Sequence, residues 1–276
     1  MEPDSINSYV RFMKELLLDQ VDILPENYHI PDGTLTKEEI ADYCANYEAK
    51  IEALGGIDLQ ILGIGGNGHI GFNESGSLQN SKTRLVALDH ITRVAASSDF
   101  SGLGNTPRTA ITLGIKKIME AKQVILMAWG EGKSNIIKAS VEGTVTNQIP
   151  ASFLQEHNNA VFVLDKEASS KLTRINTPWL VEKIIWTDKL TRKAVLRLAL
   201  DLKKPILMLT DADYIENGMS DLLADLGPAY DINIKIFNNL QHTITGWPGG
   251  KPNADDSTRP ERATPFPKRV VIFSPH

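Results

Sequence analysis

The feature that most limits how this 276-residue chain can fold is an apolar run that breaks into glycines. Asp58-Leu59-Gln60-Ile61-Leu62 predicts a buried strand, and the segment Gly63-Ile64-Gly65-Gly66-Asn67-Gly68-His69-Ile70-Gly71-Phe72-Asn73-Glu74 follows at once. Glycine reaches backbone conformations closed to residues with a Cβ, so the chain can turn sharply there. A loop at the carboxyl end of such a strand is where open α/β sheets bind ligands. Glycine content alone is equally compatible with a connection in which the glycines serve only packing. Gly63, Gly65 and Gly68 satisfy a GxGxxG count, but a dinucleotide fingerprint needs a helix straight after the turn and an acidic residue about 20 positions on. Phe72-Asn73-Glu74-Ser75-Gly76-Ser77 instead brings a second turn and no apolar helical stripe, which removes the dinucleotide reading.

Around this loop the pattern alternates between helical and strand periods. Tyr9, Phe12, Met13, Leu16, Leu17 and Val21 follow helical spacing behind Ser5 or Asn7. Thr36 and Glu39 form a capping box for a second helix, with Ile40, Tyr43, Cys44, Tyr47, Ile51 and Leu54 as its buried face. Strands at 58–65, 123–129 and 160–165 lie far enough apart for crossover connections, which predicts a parallel sheet covered by helices. Further on, a helix over 189–202 precedes two strand-like runs, 205–209 and 232–237. The stretch 246–267 is rich in proline and glycine and reads as a linker, and 268–276 reads as a terminal strand that pairs with the main sheet.

Composition narrows the class. Hydrophobic content of 42% and charged content of 23% are those of a folded globular protein. The net charge of −5 argues against a nucleic-acid or anionic-membrane role. Cys44 is the single cysteine, so no intrachain disulfide is available and a cytoplasmic setting is expected. No apolar run is long enough to span a bilayer as a helix.

His69 titrates near neutrality and can move a proton, while Glu74, across a turn, can fix its tautomer and support its charged form. The N–H groups of Gly66 and Gly68 can donate to a hydroxyl or oxyanion. One His and one Glu fall short of a metal ligand set, so no metal is expected. Lys133 opens a helix after the strand 123–129, where an ammonium adds a point charge to a helix start suited to an anion. His90 and His157 have no partner legible in the sequence and read as structural.

The run Gly65-Gly66-Asn67-Gly68-His69-Ile70-Gly71-Phe72-Asn73-Glu74 resembles the signature of glucosamine-6-phosphate deaminases. Lys82-Thr83-Arg84, Thr92-Arg93-Val94-Ala95, Pro107 to Gly114, Gly130 to Lys133, Val141-Glu142-Gly143 and Ser152 to His157 follow in family order, over about residues 1–180. The resemblance implies an α/β, Rossmann-like fold of the sugar-phosphate isomerase/deaminase type, with 181–245 as a small α/β extension. It also implies the reaction of amino-sugar catabolism in which D-glucosamine 6-phosphate and water give D-fructose 6-phosphate and ammonia, without cofactor, in a homo-oligomer. By position His69 opens the sugar ring, Glu74 tunes it, and Lys133 binds the phosphate. Asn67 stands where the family carries a carboxylate, and Ser98 where better-known members carry a phosphate-binding arginine. Ser77 and Arg84 match an effector phosphosugar site in which Val86 replaces a lysine.

The same resemblance places the family's first strand, phosphate loop and proton-shuttling aspartate before Met1. The chain is therefore expected to be an incomplete, poorly stable copy that is inactive alone, with an uncovered sheet edge. Its Pro275-His276 ending is similar to the first strand of PIG-L-type deacetylases, which makes 268–276 a candidate start of a second domain. Two other functions remain: a 6-phosphogluconolactonase-like hydrolase, and a non-catalytic phosphosugar sensor suggested by Asn67 and Ser98.

Overall fold

The computed structural model describes residues 2–245 and 271–273. The expected linker at 246–267 and most of the last ten residues lie outside the described residues. The described residues fold as two compact units that divide after Ser170, with 271–273 in the first, so the break falls ten residues before the expected boundary at 180.

In the first unit three parallel strands form the predicted sheet: β1 (Leu59–Leu62), β4 (Gln123–Ala128) and β5 (Ala160–Leu164), with β4 in the middle. Leu62 lies opposite Leu126, and Ala128 opposite Leu164. β6 (Val271–Phe273) adds an antiparallel strand beside β5, so the end of the chain pairs with the main sheet. Val124, Leu126 and Ala128 alternate inward along β4 and are buried with Phe162 and Leu164 of β5. β1 lies at the edge of this sheet, with Leu59 and Ile61 exposed. A second element, the antiparallel pair β2 (Arg84–Ala87) and β3 (Thr109–Thr112), has no counterpart in the sequence reading.

Helices α1 (Tyr9–Leu16), α2 (Lys37–Ala53), α3 (His90–Ala96), α4 (Ile115–Met119) and α5 (Ser134–Glu142) complete this unit. The cap of α1 is Ser8, whose hydroxyl accepts from the Val10 amide at 3.1 Å, in place of Ser5 or Asn7. Its apolar stripe is largely exposed: periodicity requires a common face for Tyr9, Phe12 and Leu16 but does not supply a partner for it. The capping box of α2 is present, with the Glu39 carboxylate accepting from the Thr36 amide at 2.9 Å and its hydroxyl at 2.8 Å. On the predicted inner face of α2 Cys44 is buried, Ile40, Tyr43, Tyr47 and Ile51 are half-buried, and Leu54 is exposed.

The second unit corrects the expectation of an α/β extension. Its described residues are helical: α6 (Thr173–Asn176), α7 (Asp188–Leu202), α8 (Asp211–Glu216), α9 (Ser220–Leu226) and α10 (Ala229–Thr245). The two strand-like runs are a 3-10 turn at Ile206–Met208 and part of α10. β-branched residues at 232, 234 and 236 alternate as in a strand, but Ile232 and Ile236 are also four apart, and packing on Ala194, Val195, Leu198 and Tyr214 decides for the helix. Tyr214 donates to Asn233 Oδ1 at 2.7 Å, and Asn233 Nδ2 donates to the Leu209 carbonyl at 2.8 Å, so these two buried side chains are paired, whereas the buried Trp186 Nε1 has no partner among the described residues.

Candidate active site

The C-terminal ends of β1 and β4 carry the loops predicted to matter, and the end of β5 lies beside them. After β1 the chain doubles back at once: the Gly65 amide donates to the His69 carbonyl at 3.0 Å, and the Gly68 amide to the Gly65 carbonyl at 3.1 Å. The ring of His69 lies against Gly65, where a Cβ would overlap it. Gly68 takes a φ of +84° and packs against Ile149 and Ile136, so both its conformation and its surroundings require glycine. The Gly68 amide, expected as a substrate donor, is used within the turn; Gly66 has open space around it.

This turn brings Asn67, His69 and Glu74 together. His69 Nδ1 lies 3.1 Å from Glu74 Oε2, and the side chains are only 15% and 12% exposed. Asn67 Nδ2 donates to the same Glu74 oxygen at 2.8 Å, and its Oδ1 accepts the His69 amide at 3.2 Å. A carboxylate at 67 could not donate the first of these bonds unless protonated, so asparagine supplies a donor to Glu74 that a carboxylate would lack. The other Glu74 oxygen accepts the Asp89 amide at 3.2 Å, and Thr92 Oγ1 stands 3.2 Å from His69 Nδ1. Burial pushes the imidazole below its ordinary pKa, Glu74 pulls it back up, and the nearby Lys133 ammonium opposes the charged form. Burial thus disfavours the charged ring, whose Nδ1 faces Glu74 while Nε2 has no hydrogen-bond partner among the described residues.

Lys133 stands at the start of α5, beyond a turn in which Gly130 has a φ of +84°. Both Asp165 carboxylate oxygens, from the end of β5, accept the Gly130 amide, at 3.0 and 2.9 Å. Lys133 Nζ donates to the Ile64 carbonyl at 2.7 Å, which lays the ammonium on the root of the His69 loop.

Ser77 and Arg84 do meet, with Arg84 donating to Ser77 Oγ at 3.0 Å and to Asn73 Oδ1 at 2.9 Å. Asn73 is fully buried and donates to the Ile70 and Leu113 carbonyls at 3.1 and 2.8 Å. Arg84 is thus engaged in bracing the residue next to Glu74. Ser98 is exposed, with its hydroxyl turned to Asp99. His157 is buried between the Ala121 carbonyl and the Asn159 amide, a structural role as expected. Sequence reasoning missed Asp89 and Thr92 as parts of the site. Thr92 was visible in a family-like segment, but no local spacing links it to a residue 23 positions earlier.

A parallel α/β sheet with an imidazole against a carboxylate after one strand, and a lysine from the next strand's loop reaching its root, defines a class of proteins suited to small anionic ligands at the strand ends. Within that class the match is specific. Residues 1–163 match the family described as glucosamine-6-phosphate isomerases/6-phosphogluconolactonase, and the chain belongs to that family. A glucosamine-6-phosphate deaminase-like protein of Bacteroides thetaiotaomicron is 58% identical over 273 residues, 99% of this chain; the chain spans 41% of that relative's length. A glucosamine-6-phosphate deaminase of Rhodopirellula baltica is 45% identical over 172 residues, covering 62% of this chain and 68% of that protein. Among solved structures, a monomeric glucosamine-6-phosphate deaminase is similar with a TM-score of 0.59 and 35% identity, over 62% of this chain and 70% of that one.

Proposed function

We propose that this protein acts on D-glucosamine 6-phosphate, in the reaction that with water yields D-fructose 6-phosphate and ammonia. The observation that carries the reading is the His69–Glu74 contact of 3.1 Å, which sets the imidazole to work through Nε2. The neutral ring accepts the proton of the sugar's O1 hydroxyl and returns a proton to the ring oxygen, and the C1–O5 bond breaks to give the open-chain aldehyde. Glu74 stabilises the imidazolium formed between these two transfers. A proton then moves from C2 to C1, the resulting C2 imine adds water, and the nitrogen leaves as ammonia, so no oxidant enters the balance. Lys133 offers its ammonium to the substrate phosphate, which replaces the Ile64 carbonyl as its partner.

The relatives named as deaminases support the substrate class, and the contacts of Glu74 with His69 and Asn67 and of Lys133 with the Ile64 carbonyl support the roles given to them. A phosphosugar sensor is the second reading, favoured by Asn67 in place of a carboxylate. Expression of the complete reading frame and incubation with glucosamine 6-phosphate decides between them. Ammonia and fructose 6-phosphate in equal amounts, reduced about a hundredfold or more by His69→Gln, support the enzyme. Saturable binding without either product would support the sensor. The resemblance implies a homo-oligomer, whereas the similar structure is described as monomeric; light scattering on the same sample decides the state. A cytoplasmic setting belongs to the same proposal, and no described helix is long and apolar enough to cross a membrane.

A further inference from the structure

We propose that Thr92 is a positioning residue for the His69–Glu74 pair, and that the first turn of α3 holds both members of that pair in register. The inference rests on the role given to His69 above. Its starting point is the crowding at Nδ1, which faces Glu74 Oε2 at 3.1 Å and Thr92 Oγ1 at 3.2 Å. A proton on Nδ1 can be shared between two acceptors, so the Thr92 hydroxyl oxygen can accept it both before and after the ring takes up charge at Nε2.

Both contacts come from one short stretch of chain. Asp89 caps α3 by accepting the Ile91 amide at 2.9 Å, and its own amide donates to Glu74 Oε1 at 3.2 Å. Three residues on, Thr92 reaches the ring. Asn67 holds the other Glu74 oxygen from the opposite side of the loop at 2.8 Å, and Gly65 lies against the ring. The pair is thereby fixed from the loop and from α3 together. The charged groups facing His69 are Glu74 on its own loop, Asp89 at the start of α3, and Lys133 at the start of α5. Removing the Thr92 hydroxyl takes one acceptor from the protonated ring and leaves the opposing Lys133 charge in place.

Thr92→Val keeps the side-chain shape without the hydroxyl, and Thr92→Ser keeps the hydroxyl. In an NMR titration of the His69 ring nitrogens, Val should move the midpoint to lower pH and Ser should restore it. In turnover of glucosamine 6-phosphate by the complete protein, Val should lower kcat about three- to tenfold at unchanged KM, with the acid limb of the pH profile shifting in step. An unchanged His69 titration in the Val variant, or a Ser variant that fails to restore it, would overturn the proposal. The titration needs no substrate: a shifted midpoint in a protein that never releases ammonia would uphold the positioning role and reject the deaminase reading.

Discussion

At Gly65 the missing side chain is what the site depends on. A methyl group there would occupy the space of the His69 ring, so Gly65→Ala should turn the ring away from Glu74. The proposed activity toward glucosamine 6-phosphate is expected to fall about a hundredfold or more, the range of a lost acid–base group, while circular dichroism stays native. His69 also leaves a mark on stability. Its pKa in the folded state lies below the ordinary 6.5, so in the window under pH 6.5 the unfolded chain binds more protons and stability falls as pH falls. Urea melts between pH 8 and 5 should show this slope, and His69→Asn should flatten it; an equal slope in the variant would refute the assignment. Much of this scale was legible in the sequence. His69, Glu74 and Lys133 sit in local motifs, and the spacing of the first two reflects the backbone turn that joins them. Thr92 and Asp89 were not legible as partners, because the folded path through β2 that returns them to the loop leaves no local trace.

Elements show where patterning suffices and where it fails. β4 is central in the sheet, and Leu126 is fully buried between β1 and β5. Leu126→Ala should destabilise the first unit by about 2–5 kcal/mol through lost transfer energy and an unfilled cavity, read from chemical denaturation. An effect below about 1 kcal/mol would mean that the sheet core collapses around the gap. The buried strands β4 and β5 were legible because continuous apolar runs bounded by turns have few alternatives. β2 and β3 were missed because their residues are mostly half-buried or exposed, and pair across a long intervening segment. In α10 the apolar positions fit both periods, and only the core formed with α7 and α8 separates them.

On the scale of the whole molecule, each unit has its own core. Trp186, Val195, Leu198, Tyr214, Met219, Leu222 and Ile232 form one cluster within the second unit. Its clearest electrostatic support is Asp213, which accepts from Lys204 Nζ at 2.6 Å and from the Thr210 amide at 2.8 Å. Lys204 and then the Thr210 amide bring that carboxyl down to about 2 from an ordinary 3.8. The sign follows from linkage: stability from this group is complete above the unfolded pKa and is lost as pH falls from about 4 toward 2. Thermal melts of Asp213→Asn should show a lower midpoint at neutral pH and a smaller loss on acidification over that window. Equal acid sensitivity of variant and parent would remove Asp213 as the cause.

The sequence by itself determined the parallel sheet, the Gly63–Glu74 turn and the candidate His69–Glu74 pair it carries, since each follows from residues within a few positions of one another. Tertiary structure alone decided that Asn67 hydrogen-bonds Glu74, that α3 supplies Thr92 and Asp89, that Arg84 braces Asn73, and that the second unit is helical. Those outcomes depend on groups far apart in the chain, or on which buried surface an ambiguous pattern meets. Short-range stereochemistry is written in residue order, whereas long-range packing is settled only when the whole unit closes on its core.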